Sequence, residues 1–234
     1  MSEALRIGLV VEGPTDRIVI GAVLQSILGG RPFVLTQLQP EDSLAFGPLG
    51  SGWAGVYRWC KKATARGNGR LASDALLFLS LDLLILHLDA DVAGKRYEDE
   101  NSIRPDPGDG HLPCEQPCPP ASASTDRLRQ VLLSWCGETV TPPKTVICMP
   151  SKSTEAWVVA ALYPADIAMK REIECLPDPE SRLSQQPRRT RIHKTQKDYS
   201  NRSSAIAKAW PRLASPESLG EALRFQRETL AAIQ

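Results

Sequence analysis

Charge of one sign is what this sequence most plainly lacks: 28 Lys and Arg stand against 27 Asp and Glu, a formal net charge of +1 over 234 residues. A global basic field that would draw in nucleic acid is therefore excluded, and contact with a polyanion would need a local patch. Long apolar runs are also missing. All are interrupted well short of the ~18 residues of a membrane span, so no membrane partner is expected. The first residues show no basic stretch followed by an apolar one and a cleavage site, so no secretory signal is expected and the location expected is the cytoplasm. Six cysteines in that setting point to reduced thiols. There is no internal repeat, and no G-x-x-x-x-G-K-[ST] phosphate loop.

What is present is ordinary globular composition, 42% hydrophobic and 24% charged. One domain over residues 1–234 is expected, with a long loop insertion at 92–124 and a basic loop and helical part at 177–234. Arg6 to Val11 reads as a short buried strand, broken by Gly13-Pro14. Pro14 suits a first helical position with Gly13 as cap, predicting a helix from Thr15 to Leu28. Pro32 to Leu38 offers a second strand. "GPLGSGWAG" reads as a helix-entry loop, followed by a helix from Trp53 to Ala65. Leu81 to Asp91, "LDLLILHLDAD", is the strongest apolar strand. Leu128, Val131, Leu132 and Trp135 mark one helical face. Lys144 to Pro150 is a fourth strand, Ser153 to Leu162 a helix, and two amphipathic helices near Ser203–Arg212 and Pro216–Ile233 finish the chain. Alternating strands and helices imply an α/β fold with a central, mainly parallel sheet flanked by helices.

In such a sheet, ligands bind beyond the carboxyl ends of the strands. Glu12 ends the first strand, and Asp16 lies in the first turn of the helix that leaves it. Asp89 and Asp91 end another strand, and in extended chain residues two apart share a face. Several carboxylates in one crevice repel one another. A divalent cation resolves that conflict, and all-oxygen ligands suit Mg²⁺ or Mn²⁺, as one or two ions. Each part has an ordinary reading: Asp16 can complement a helix N-terminus, and Asp-x-Asp after a strand is common in α/β enzymes.

"VEGPTD" (11–16) and "DADVAG" (89–94) together resemble the Toprim domain of topoisomerases, bacterial primases and the OLD family of nucleases. The resemblance implies a compact Rossmann-like α/β fold and a Mg²⁺-dependent phosphodiester site, with Glu12 as acid–base group and ligand and the Asp pair as ligands. "PSKSTEAW" (150–157) is similar to the Ser-x-Glu element of OLD-type Toprim nucleases, which implies Ser153 and Glu155 as further ligands; the same residues also read as a helix cap and first-turn acid. The resemblance also implies a catalytic lysine, Lys194 or Lys197, with Lys194 preferred. It points to a metal-dependent nuclease acting on DNA or RNA, in an anti-phage setting with a separate ATPase chain, because this sequence has no ATPase motif of its own. The tyrosine nucleophile domain of topoisomerases and the zinc module of primases are absent too. An enzyme of small phosphorylated molecules and a non-catalytic subunit are the alternatives, and a homodimer is left open.

Arg188, Arg189, Arg191, Lys194, Lys197 and Arg202 form the one strong basic cluster, which either tracks a phosphate backbone or is a solvated loop. His111, Cys114 and Cys118 carry part of a structural zinc pattern. The second ligand pair is missing, and Cys136 is the nearest fourth ligand. Cys60, Cys148 and Cys175 read as small core residues, and His87 as a satisfied buried histidine.

Overall fold

The computed structural model describes residues 3–41, 49–101, 103–165, 173–214 and 219–234. Among these, four strands form one parallel sheet: β1 (Leu5–Val10), β2 (Phe33–Gln39), β3 (Leu83–His87) and β4 (Thr145–Cys148), in the order β2-β1-β3-β4. The registers Leu5↔Phe33, Ile7↔Leu83 and Leu84↔Thr145 align the carboxyl ends of β1 and β3 side by side. The chain moves outward from β1 to β2, then crosses back to β3 on the other side. The crevice at the ends of β1 and β3 is therefore the point where the strand order reverses, the usual place for a ligand in an open α/β sheet.

Strand alternation sorts the core into two layers. Ile7, Leu9, Leu83, Ile85, Val146 and Cys148 face one side and pack with α1 (Pro14–Ile27), α5 (Thr154–Leu162), α7 (Gln196–Leu213) and α8 (Gly220–Ala232). Val10, Leu84, Leu86 and Ile147 face the other side and pack with α2 (Gly52–Arg66) and α4 (Ser122–Trp135). Each layer has an aromatic centre. Trp157 meets Trp210 edge-on at 5.0 Å between ring centroids, and Trp135 meets Tyr57 at 5.3 Å. Gly8 matters here, because a Cβ at that position would sit 2.4 Å from Leu81 Cδ1.

The expected strands are all present, and the expected helices are found with shifted ends. Two short helices were not foreseen: α3 (Ala75–Ser80) and α6 (Pro179–Ser184). Both carry legible caps, since the Asp74 carboxylate accepts from the Leu77 N–H and the Asp178 carboxylate from the Ser181 N–H. α7 begins at Gln196, ahead of the expected Ser203, because Thr195 caps it by accepting from the Asp198 N–H. Gly47 and Pro48 of the helix-entry loop, and Pro216 at the start of the last expected helix, lie outside the described residues. β3 is shorter than expected. It ends at His87, and the chain turns into a 3₁₀ segment at Ala90–Gly94. No helix among the described residues is long and apolar enough to cross a membrane.

The cysteine reading is corrected. Cys118, in the long loop, forms a disulfide with Cys175, with Cα atoms 5.5 Å apart across a separation of 57 residues. Cys175 is therefore not a small core thiol, and the Cys118 sulfur is no longer a thiolate that could hold zinc. The pair pins the loop that precedes α4 to the turn that precedes α6. Closing a loop of that size restricts the unfolded chain by roughly 2–4 kcal/mol. Reduction, or the Cys118→Ser change, is expected to lower stability by about that amount, measured as a fall in the denaturant midpoint. Coincident midpoints for oxidised and reduced protein would show that the bond does not form.

Candidate metal centre

The site grows out of the ends of β1 and β3. Val11 is still fully buried; Glu12 follows it, half-buried, at the mouth of the crevice. Its Oε1 accepts the backbone N–H of Asp89 at 2.7 Å, joining the two strand ends across 77 positions of sequence. Asp16, in the first turn of α1, is 3% exposed. Its Oδ2 accepts the Gly13 N–H at 2.9 Å, so Asp16 caps its own helix as well as facing the crevice. Asp89 is 7% exposed. Thr154, the first residue of α5, holds both aspartates: its hydroxyl donates to Asp16 Oδ1 at 2.7 Å and its N–H to Asp89 Oδ1 at 3.1 Å.

His87 is where the sequence reading departs furthest from the structure. Its ring is fully buried, but Nδ1 has no hydrogen-bond partner among the described residues. Nε2 lies 3.1 Å from Asp89 Oδ1. Asp16, His87 and Asp89 each offer a ligand atom, all within 4.8 Å of one another, and this group can hold a metal ion. The sequence signal was available: His87 and Asp89 are two apart at the end of a strand, hence on the same face.

Glu155, fully buried, flanks the group. Its Oε1 accepts the Tyr199 hydroxyl at 2.8 Å and lies 3.3 Å from Lys194 Nζ, while Oε2 has no hydrogen-bond partner among the described residues. Ser153 stands at the N-cap position of α5, but its side chain makes no capping bond. Its hydroxyl is among the groups that favour the ionised Glu155 carboxylate. Lys194 also pairs with Glu180 at 3.2 Å. A groove of about 410 Å³, lined by Glu180, Ile192, His193, Lys194 and Tyr199, opens this flank to solvent.

Asp91 is placed differently from the expectation. Because β3 ends early, Asp91 lies in the 3₁₀ turn and is exposed, outside the buried trio. The turn is fixed from behind: the N–H groups of Ala90 and Asp91 donate to the carbonyls of Pro150 and Lys152 at 3.1 and 3.0 Å. Lys152 adopts φ 63°, a left-handed conformation that costs a non-glycine residue energy. That strained turn carries Ser153 and Thr154 into the crevice.

The electrostatics follow from this crowding. Burial, then the charge of Asp89, push the Glu12 carboxyl well above its usual range. Burial, then Asp16 and Glu155, do the same to Asp89. Glu155 is the exception: burial pushes it up, but Lys194 and the bonds from Ser153 and Tyr199 outweigh that and hold it below the usual range.

Two further sequence groups are resolved. His111 is exposed, Cys118 is in the disulfide, and Cys136 is buried with its thiol hydrogen-bonded to Cys60, so His111, Cys114 and Cys118 do not form a zinc site. Arg188, Arg189, Arg191 and Lys197 are all exposed, on the turn after α6 and the first turn of α7, the same stretch of chain that carries Lys194. No family model, curated protein or solved structure matches the chain.

The raised carboxyls set a pH dependence for the metal-free protein. Between the unfolded carboxylate range near pH ~4 and the raised folded values, the folded state binds more protons than the unfolded state. Stability therefore falls as pH rises through that window. Asp82, lowered to about 2 beside Arg6, and Glu155 act in the opposite sense at more acid pH. In EDTA the melting temperature is expected to be higher near pH ~5.5 than near pH ~8, with a shallower slope in Glu12→Gln. Equal slopes in the two proteins would contradict the assignment of Glu12 to the strained group.

Proposed function

We propose that this chain is a divalent-metal-dependent phosphodiesterase that cuts DNA or RNA at a Toprim-like site. The observation that carries the reading is the meeting of Glu12 and Asp89 through one hydrogen bond at the reversal point of the sheet, with Asp16 held against them. Acidic groups brought together at such cost, with two buried polar atoms left unpartnered beside them, fit a cation better than they fit a structural role.

Asp16 and Asp89 would hold the ion, with Glu12, Asp91, Ser153 and Glu155 completing one or two sites. A bound Mg²⁺ or Mn²⁺ supplies charge stabilisation at a phosphate oxygen and a more acidic water. Glu12, at the mouth of the crevice, is the group that moves a proton. Lys194, on the open side of Glu155, balances charge that develops on the phosphate. Arg188, Arg189, Arg191 and Lys197 would carry the flanking phosphate backbone. An anti-phage role beside a separate ATPase chain is the setting that the Toprim resemblance implies. A second reading, an enzyme of small phosphorylated molecules, is favoured by the size of the groove at Lys194, about 410 Å³.

Plasmid nicking with Mn²⁺ tests the first reading. Glu12→Gln keeps the shape and removes the proton acceptor, a loss that typically costs ~10²–10⁴ in rate, and Asp91→Asn is expected to fall similarly. Cleavage that persists in EDTA, or that stays at the unaltered protein's rate in both variants, would falsify the assignment. Hydrolysis of small phosphate esters without nicking would favour the second reading.

The basic turn has its own test. Replacing Arg188, Arg189 and Arg191 together with Ala is expected to weaken binding to all sequences alike. The slope of log affinity against log salt should drop by roughly one for each phosphate that is no longer neutralised. An unchanged slope would make the turn a solvated loop and nothing more.

A further inference from the structure

We infer that His87 is a direct ligand, and that the ion at Asp16 and Asp89 is one that accepts an imidazole nitrogen, such as Mn²⁺, Fe²⁺, Co²⁺ or Zn²⁺, in preference to Mg²⁺. The inference rests on the metal-binding part of the proposed function and is independent of the substrate.

Three observations carry it. The first is placement. His87 closes β3 on the same face as Leu83 and Ile85, so its ring is directed toward α1 and α5, where Asp16 and Thr154 lie. Leu86 and Leu88, on either side of it, go to the opposite core. The second is spacing. Two ligands at right angles on an ion with bonds of ~2.1 Å stand about 3.0 Å apart. His87 Nε2 and Asp89 Oδ1 are 3.1 Å apart, and Asp16 completes the trio within 4.8 Å.

The third is the lack of another use for the ring. His87 is 0% exposed, and among the described residues its ring hydrogen-bonds only to Asp89. The unpartnered ring atom is Nδ1, while Nε2 faces Asp89; an apolar side chain at this strand position would leave no polar atom unsatisfied in the core. Glu155 Oε2, also buried, is left without a hydrogen-bond partner on the flank of the same group.

The ligand chemistry then selects the ion. Mg²⁺ takes oxygen ligands and gives up its water reluctantly, whereas imidazole suits first-row transition ions. A set of two carboxylates and one imidazole, closed off from solvent on its inner side, therefore discriminates against Mg²⁺ by ligand type.

The rival role is a positioning one, in which Nε2–H donates to Asp89 and only orients it. Pulsed EPR on the Mn²⁺-loaded protein separates the two. Coordinated imidazole should give ¹⁴N modulation that changes to the ¹⁵N pattern when the protein is grown with ¹⁵N-histidine. The chain has three histidines, so the modulation must survive His111→Gln and His193→Gln and vanish in His87→Asn. Equilibrium dialysis of His87→Asn should show Mn²⁺ affinity reduced by at least ~100-fold, the upper end of what disturbing a metal ligand's support costs, with Mg²⁺ affinity little changed. The isotope comparison uses the unaltered sequence, so it stands even if His87→Asn does not fold. Bound Mn²⁺ without histidine nitrogen coupling would overturn the inference and leave His87 as a positioning residue. No Mn²⁺ binding at all would overturn it together with the metal-binding reading. Nitrogen coupling in a protein that does not nick plasmid would count against nuclease activity of the chain on its own and leave this inference in place.

Discussion

Two aspartates buried against each other at the end of a parallel sheet are the constraint around which the rest of this structure is arranged. Like charges in a poorly hydrated crevice repel one another, and a fold that keeps them there must hold them from several directions. Asp16 comes from α1, Asp89 from the turn after β3, and the opposing groups from α5 and from the end of β1. The central sheet makes this convergence possible, because parallel strands deliver their carboxyl ends, and the helices that follow, to one edge.

Thr154 is the smallest part of that answer. One residue at the start of α5 donates its hydroxyl to Asp16 and its N–H to Asp89. Hydrogen bonds to charged groups are worth about 1.5–3 kcal/mol, so this residue offsets part of the repulsion it bridges. It reaches the crevice only because Lys152 accepts a left-handed backbone just before it. Strain of this kind persists at functional sites where the surroundings over-determine the conformation. Here the surroundings are visible: the Lys152 carbonyl takes the Asp91 N–H, and its ammonium pairs with Glu115 at 2.7 Å.

Most of the sheet was legible in the sequence, because each strand is an apolar run ended by glycine, proline or a carboxylate. The positions of Glu12, Asp16 and Asp89 were legible for the same reason, since strand ends in a parallel sheet are shared ground. Asp91 was misplaced because a spacing of two residues puts side chains on one face only while the chain stays extended, and the strand ends four residues earlier, at His87. His87 was undervalued because a histidine inside an apolar run looks identical whether or not its ring nitrogens are satisfied. The disulfide joins residues 57 apart through a Pro-rich loop without periodicity, so no local pattern could reveal it. Helices α3, α6 and the early start of α7 were missed although their caps, Asp74, Asp178 and Thr195, are plain in the sequence. α3 buries none of its residues and α6 only Pro179 and Leu183, so neither shows a periodic buried face.

The finished site has two unlike halves. Asp16, His87, Asp89 and Glu155 are packed into the core. Asp91, Lys194 and the arginines of the 188–191 turn are exposed, on segments that contribute few buried side chains. Lys194 is the joint between the halves, since it pairs inward with Glu155 and outward with Glu180. The groove at α6 opens onto the Glu180 side of that ammonium, while Tyr199, the other partner of Glu155, stands in α7. On the proposed reading, the buried half would hold the ion and the exposed half would meet the substrate.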